Sequence, residues 1–123
     1  MKKILTVKVG EATGASLARA RAVMEALASG KRAAAYFSVG FASLAQMLAV
    51  FTPKRLELVA ELRERGPMSV AALARVLERD YKNVHGDVAA LSEWLAVERD
   101  DDGNVFVPWD EIDFKLPLTR QVA

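Results

Sequence analysis

Thr52-Pro53-Lys54-Arg55, Gly66-Pro67-Met68-Ser69, Arg79-Asp80-Tyr81-Lys82-Asn83-Val84-His85 and Asp102-Gly103 punctuate residues 52–107, and their reading decides the fold. Thr52 can cap a helix, and Pro53 at the first helical position loses no bond, because an N–H there has no intrahelical partner. Phe51 and Leu56 have the spacing of a hydrophobic staple. The helix predicted from Pro53 buries Leu56, Val59, Ala60 and Leu62 and ends near Arg65, where Gly66-Pro67 stops it. Ser69 caps a second helix with Leu73, Val76 and Leu77 inward. Asp80 caps a third, with Val84, Val88, Leu91 and Leu95 as its buried stripe. About three residues separate these two helices, the spacing of a helix-turn-helix. Val97–Arg99 and Val105–Val107 flank Asp100-Asp101-Asp102-Gly103-Asn104, which predicts a hairpin with a favourable Asp-Gly turn.

Helix, helix-turn-helix and hairpin in that order predict a winged helix-turn-helix over residues 51–110. Outside it, Lys2–Val9 alternates, with Leu5, Val7 and Val9 on one face and Thr6 and Lys8 on the other, which is strand periodicity ended by Gly10. Residues 13–29 carry Leu17, Ala20, Met24 and Leu27 at helical spacing, with Gly30 as a stop. Ala34–Val39 reads as a second strand broken by Gly40, and Phe41, Leu44, Ala45 and Leu48 mark another helix. Residues 1–50 are therefore expected to form a β-α-β-α extension serving dimerisation or partner binding. The tail, residues 111–123, alternates at Ile112, Phe114, Leu116 and Leu118; Pro117 excludes it from a sheet centre and makes it a candidate edge strand. The expected class is α+β.

A chain of 123 residues fits one domain or one domain with an appendage, and an apolar fraction of 52 % is ample for a core. The longest apolar stretches are broken by Ser, Gln and Gly, so no membrane span is expected. Met1-Lys2-Lys3-Ile4 lacks the apolar run of a signal peptide, and zero cysteines exclude disulfides and thiolate zinc sites. A cytoplasmic protein without metal or cofactor is the simplest reading. Net charge is +1, unevenly spread: residues 1–52 hold seven basic and two acidic side chains, residues 53–95 seven of each, and residues 96–123 three basic and seven acidic. The basic part could face phosphate and the acidic tail a basic protein.

The stretch Leu73-Ala74-Arg75 to Val84-His85-Gly86-Asp87-Val88 to Leu91 resembles the helix-turn-helix of MarR-type winged-helix regulators. More narrowly, the three motifs at 52–55, 66–69 and 79–85 resemble a family of small predicted DNA-binding proteins. Its members are often encoded beside a small toxin and act as its antitoxin, in pairs of the TumE/TumA type. The resemblance covers roughly residues 41–112 and implies autoregulatory DNA binding and toxin neutralisation. Three positions depart from the family pattern. Glu78 stands where a Gly commonly closes the second helix, Gly86 where an Arg is common in the reading helix, and Leu95-Ala96 replaces Gly-Leu before the wing.

A helix that reads double-stranded DNA in the major groove needs polar groups on its first two turns, opposite its core stripe. Here those are Tyr81, Lys82, Asn83, His85 and the bare Gly86. Lys82 can contact phosphate or guanine, Asn83 can pair with adenine, and Tyr81 and His85 can bond phosphate or base edges. Ser69 and Arg79 are placed to clamp the backbone, Lys54 and Arg55 lie at another helix N-terminus that can reach phosphate, and Arg99 sits at the base of the wing. Asp80 is read as a cap, and Asp87 as a solvated or helix-internal ion-pairing residue. The tip Asp100-Asp101-Asp102 repels phosphate. So few basic groups imply that one copy binds weakly, which predicts a homodimer on paired half-sites, with residues 2–9 and 112–118 as edges for dimer or toxin. The competing reading is a winged helix kept for protein contact alone, favoured by Gly86 and the acidic wing. An enzyme is not expected: Ser69, Asp87 and His85 are present, but no nucleophile elbow, phosphate loop or metal-ligand spacing accompanies them.

Overall fold

The computed structural model describes residues 2–10 and 36–118. Five strands and four helices follow in order among these: β1 (Ile4–Val9), β2 (Tyr36–Phe41), α1 (Leu44–Val50), α2 (Pro53–Arg65), α3 (Val70–Leu77), α4 (Tyr81–Glu93), β3 (Glu98–Arg99), β4 (Val105–Phe106) and β5 (Glu111–Lys115). The class is α+β. The helix expected over 13–29, and the first two residues of the strand expected over 34–39, lie outside the described residues. No helix among the described residues is long and apolar enough to cross a membrane.

The chain divides into two compact units, Met1–Leu48 with Asp110–Ala123, and Ala49–Trp109. In the first, β1 is the centre of a parallel sheet ordered β2-β1-β5. Residues 2–9 therefore do not offer the open edge expected of them, since β1 has a neighbour on each side. The alternation that predicted a strand also sets its faces. Leu5 and Val7 are fully buried and lie beside Phe37 and Val39 of β2. Gly40 does not break β2: the strand runs through it to Phe41, which is a buried strand residue and not the start of a helix. With Phe41 removed from its stripe, α1 buries Met47, while Leu44 and Leu48 are exposed. The entry to β5 is pinned to the start of β1 by the Asp110 N–H donating to the Lys3 carbonyl at 2.8 Å and the Lys3 N–H donating to Asp110 Oδ2 at 2.9 Å. The expected edge strand is thus present, paired to β1 along Ile4–Lys8.

In the second unit the three expected caps all form. Thr52 Oγ1, Ser69 Oγ and Asp80 Oδ2 accept from the N–H groups of Arg55, Ala72 and Asn83 at 3.1–3.2 Å. Each satisfies a donor that the helix itself cannot. The buried faces are turned from the expected ones. α2 buries Leu58, Val59 and Leu62 and exposes Ala60; α3 buries Val70, Leu73 and Ala74, with Val76 and Leu77 only half-buried. The stripe of α4 is as expected at Val84, Val88 and Leu91. Each of these fully buried aliphatic side chains contributes about 1.5–3 kcal/mol through loss of contact with water.

Both later helices close by the same device. After α3, Glu78 is left-handed (φ 54°, ψ 45°), its N–H bonds to Arg75 O and the Arg79 N–H to Ala74 O at 3.0 Å. After α4, Leu95 is left-handed (φ 69°), its N–H bonds to Ser92 O and the Ala96 N–H to Leu91 O. These are Schellman closures, which glycine ordinarily occupies. Gly66, at φ 92° and ψ −176°, ends α2 in a conformation essentially restricted to glycine.

Between α2 and α3, Met68 forms an antiparallel bridge with Val105, through Met68 N–H to Val105 O at 3.1 Å and Val105 N–H to Met68 O at 2.8 Å. Val105 also pairs with Arg99, so β4 lies between β3 and Met68. The hairpin loop is longer than a two-residue Asp-Gly turn. Asp100 N–H donates to Asn104 O, and Asp100 Oδ1 accepts from the N–H groups of both Asp102 and Asn104. Behind the hairpin, Trp109 is buried with its Nε1–H donating to the Leu95 carbonyl at 2.7 Å, and its own carbonyl accepts from Arg63 Nε at 2.8 Å.

Because Glu78 is exposed and strained, Glu78→Gly should raise stability by about 0.5–1 kcal/mol, the relief of a left-handed L residue less the added freedom of glycine in the unfolded chain. The midpoint of urea unfolding of the two proteins measures it.

Candidate nucleic-acid interface

α4 presents two faces. Val84, Val88 and Leu91 are buried, and the opposite side carries Tyr81, Lys82, Asn83, His85 and Gly86, all exposed. The division follows from a period of 3.6 residues acting on a polar N-terminal half. The Asp80 cap takes the Asn83 N–H and leaves the Asn83 side chain outside. Tyr81 is 53 % exposed and stands one turn from His85, with ring centroids 5.8 Å apart at 37°. The two rings lie side by side along the helix without closing over it.

Gly86 is open. A Cβ built there meets nothing within 4 Å among the described residues, so no packing among them requires glycine at this position. Its cost in helix propensity is about 1 kcal/mol relative to alanine, and none of the described residues returns it.

Ser69 caps α3 through its oxygen and keeps its hydroxyl proton, at an exposed position; Lys54, on the first turn of α2, is exposed. The three arginines among the candidates are differently placed. Arg55 Nε donates to Asp87 Oδ1 at 3.0 Å, and its Nη1 donates to the carbonyls of Ala49 and Val50 at 3.2 and 3.0 Å. Arg79 Nη2 donates to Asp87 Oδ2 at 2.8 Å. Both guanidinium groups are turned inward, with side chains 22 % exposed, and the carboxylate between them is 16 % exposed. Arg79 Nη1 is buried and has no hydrogen-bond partner among the described residues. Arg99 Nη1 donates to Gly103 O across its own hairpin. Thus α4 brings together the five residues at 81–86, while Arg55, Arg79 and Arg99 are engaged within the fold.

Asp87 is the residue whose role differs most from the sequence expectation. It is only partly exposed, and its partners lie outside its own helix. It ties α4 to the first turn of α2 and to the α3–α4 turn. One positive charge of the pair balances it, and the other leaves the cluster with a net positive charge behind the exposed face. Nothing in the local sequence announces the pairing, since its partners lie 32 and 8 positions away. Among the described residues no group of three or more His, Cys, Asp or Glu side chains is placed to hold a metal ion.

The family model HVO_A0114 matches residues 50–114. No curated protein and no solved structure matches the chain.

Asp87→Asn would leave two half-buried guanidinium groups without their counter-charge. It should lower stability by about 2–3 kcal/mol, below the cost of a wholly buried pair because solvent reaches part of the cluster. Chemical denaturation monitored by circular dichroism reads it. Gly86→Ala should raise stability by about 1 kcal/mol in the same assay.

Proposed function

The chain belongs to the HVO_A0114 family, whose model spans just over half of it, and we propose that it is a sequence-specific DNA-binding transcriptional regulator built on a winged helix-turn-helix. Membership by itself carries no activity, so the reading rests on geometry. The single observation that carries it is the exposed polar face at the start of α4. Its setting supports the same reading. A helix, a bridging residue at Met68, two helices joined by a three-residue turn, and a hairpin whose second strand pairs with that bridge occur in the order of a winged helix. In such a fold α4 is the helix that enters the major groove, with its N-terminal residues against base edges.

In this reading Asn83 pairs with adenine, Lys82 reaches guanine or phosphate, and Tyr81 and His85 bond phosphate or base edges. Ser69 at the N-cap of α3 and Lys54 on the first turn of α2 hold the backbone, where helix N–H groups and the helix dipole favour an anion. Arg55 and Arg79 act through Asp87, which ties α4 to the start of α2 and to the α3–α4 turn. Gly86 lets the α4 backbone come close to the duplex, which accounts for a glycine that no neighbour among the described residues demands. The resemblance of the motifs at 52–55, 66–69 and 79–85 extends the proposal to an antitoxin that represses its own operon as a homodimer and neutralises a small toxin.

One observation favours a second reading, a winged helix that binds protein alone. The unit Ala49–Trp109 carries eight basic and eleven acidic side chains, and Asp101 and Asp102 are exposed at the hairpin tip.

Titration with the DNA upstream of its own gene separates the two. The regulator binds with submicromolar affinity, and log Kd rises with log salt by about 0.9 per phosphate contacted. Binding that ignores sequence at moderate salt selects the protein-contact reading. Asn83→Ala should narrow the gap between cognate and scrambled DNA by about 1–3 kcal/mol while leaving the fold intact. Lys82→Ala should weaken binding to all sequences and, for a phosphate contact, reduce the salt slope by about 1. Equal affinity of wild type and Asn83→Ala for both duplexes would remove Asn83 from the reading face.

A further inference from the structure

His85 is the one histidine of the chain, and histidine is the side-chain type that gains a positive charge between about pH 8 and pH 5. It stands exposed on the second turn of α4, on the face that carries Tyr81, Lys82, Asn83 and Gly86. Among the described residues no hydrogen bond or ion pair engages its imidazole, and its neighbour is the Tyr81 ring, 5.8 Å away between centroids. A charged imidazole donates from both ring nitrogens and accepts from neither, which suits a phosphate oxygen.

The charges around it make that proton count. Arg55 and Arg79 are bonded to Asp87, Arg99 to its own hairpin, and the Asp80 carboxylate to the Asn83 N–H. Arg75 and Glu78, at the end of α3, are opposite in sign. On α4 itself the charged residues are Lys82, Asp87 and Glu93. Of the residues assigned to DNA, Lys54 and Lys82 are therefore the cations turned to solvent. They belong to a unit with eight basic and eleven acidic side chains, a balance of −3 that opposes a polyanion. A proton on His85 raises two solvent-facing cations to three.

We propose that His85 meets the DNA backbone as an imidazolium, so that binding takes up a proton and affinity falls as pH rises through the range in which histidine loses its charge. The inference rests on the DNA-reading proposal and gives His85 a phosphate partner in place of a base edge. One further phosphate contact adds about 0.9 to the log–log salt slope, about eightfold in affinity between 1 M and 0.1 M salt.

The test is titration of the full chain with the duplex upstream of its own gene, from about pH 8 to about pH 6 and at several salt concentrations. Wild type should bind about fivefold more tightly at the acid end at about 0.1 M salt, with a salt slope steeper by about 0.9. His85→Gln, neutral throughout, should change by less than about twofold over the same range. His85→Arg, charged throughout, should bind at the alkaline end as tightly as wild type does at the acid end, and with a flat profile. Carboxylates and the terminal amine are common to all three proteins, so differences between the profiles belong to position 85. Circular dichroism at each pH verifies the fold. An equal pH response in wild type and His85→Gln, or a wild-type salt slope that ignores pH, overturns the inference and leaves the DNA-reading proposal standing. A loss in His85→Gln that is the same at every pH assigns a neutral base contact and likewise overturns it. Absence of salt-sensitive binding by wild type and His85→Arg at every pH overturns both.

Discussion

Asp87 reaches from the second turn of α4 to guanidinium groups on two other elements, and the orientation of the exposed helix face depends on that reach. Arg55 extends the tie, because the same guanidinium that meets Asp87 also holds the carbonyls of Ala49 and Val50 at the end of α1. A cation there opposes the negative end of a helix dipole. One carboxylate and two arginines therefore join the end of α1, the start of α2, the α3–α4 turn and the body of α4. Such a cluster adds little to stability when compared with apolar residues of the same volume. What it supplies is a tie between separate elements: removing one member strands the others as unpaired, half-buried charges. The apolar stripe of α4 fixes which side is buried, and the ionic cluster ties that helix to the start of α2 and to the α3–α4 turn.

Much of the second unit was legible in the residues. Thr52, Ser69 and Asp80 mark helix starts because a side-chain oxygen at those places serves a donor that has no other partner, a rule that acts within three residues. The α4 stripe was legible for the same reason, being a strong period over a full-length helix. The buried faces of α2 and α3 were harder. In α2, Leu56, Leu58, Val59, Ala60 and Leu62 give two overlapping stripes, and tertiary packing selected the one through Leu58. In the first unit, Gly40 looked like a breaker, yet beside the buried Phe41 it simply continues β2. The candidate site was legible where it is local, at residues 81–86, which share a helix face. It was illegible at Arg55, Arg79 and Asp87, whose pairing joins separate elements and leaves no mark on spacing. Trp109, whose indole N–H closes on the Leu95 carbonyl, escaped notice for the same reason.

The two left-handed residues show how the strain of a side chain in that conformation can be compensated or left uncompensated. Leu95 and Glu78 occupy equivalent places at helix ends, and both carry the strain of a Cβ in that conformation. Leu95 is buried and its carbonyl takes the Trp109 indole proton, so its side chain and backbone return part of that strain. Glu78 is exposed and returns none. The α3–α4 turn is thus held by its hydrogen bonds and by Arg79, not by the preference of the residue at its corner.

Lys3 and Asp110, bonded to each other at the mouth of the sheet, are 107 positions apart. At a ribosomal pace of roughly 5–20 residues per second, about 5–20 s separate the emergence of these two ends. Over that interval the helices between them can fold through short-range contacts, whereas β1 has at most one neighbour until its last-made partner arrives. Until residues 110–115 arrive, one edge of β1 stays open, and the sheet is completed only by pairs 107 positions apart, such as Ile4 with Glu111, the kind of contact that forms slowly.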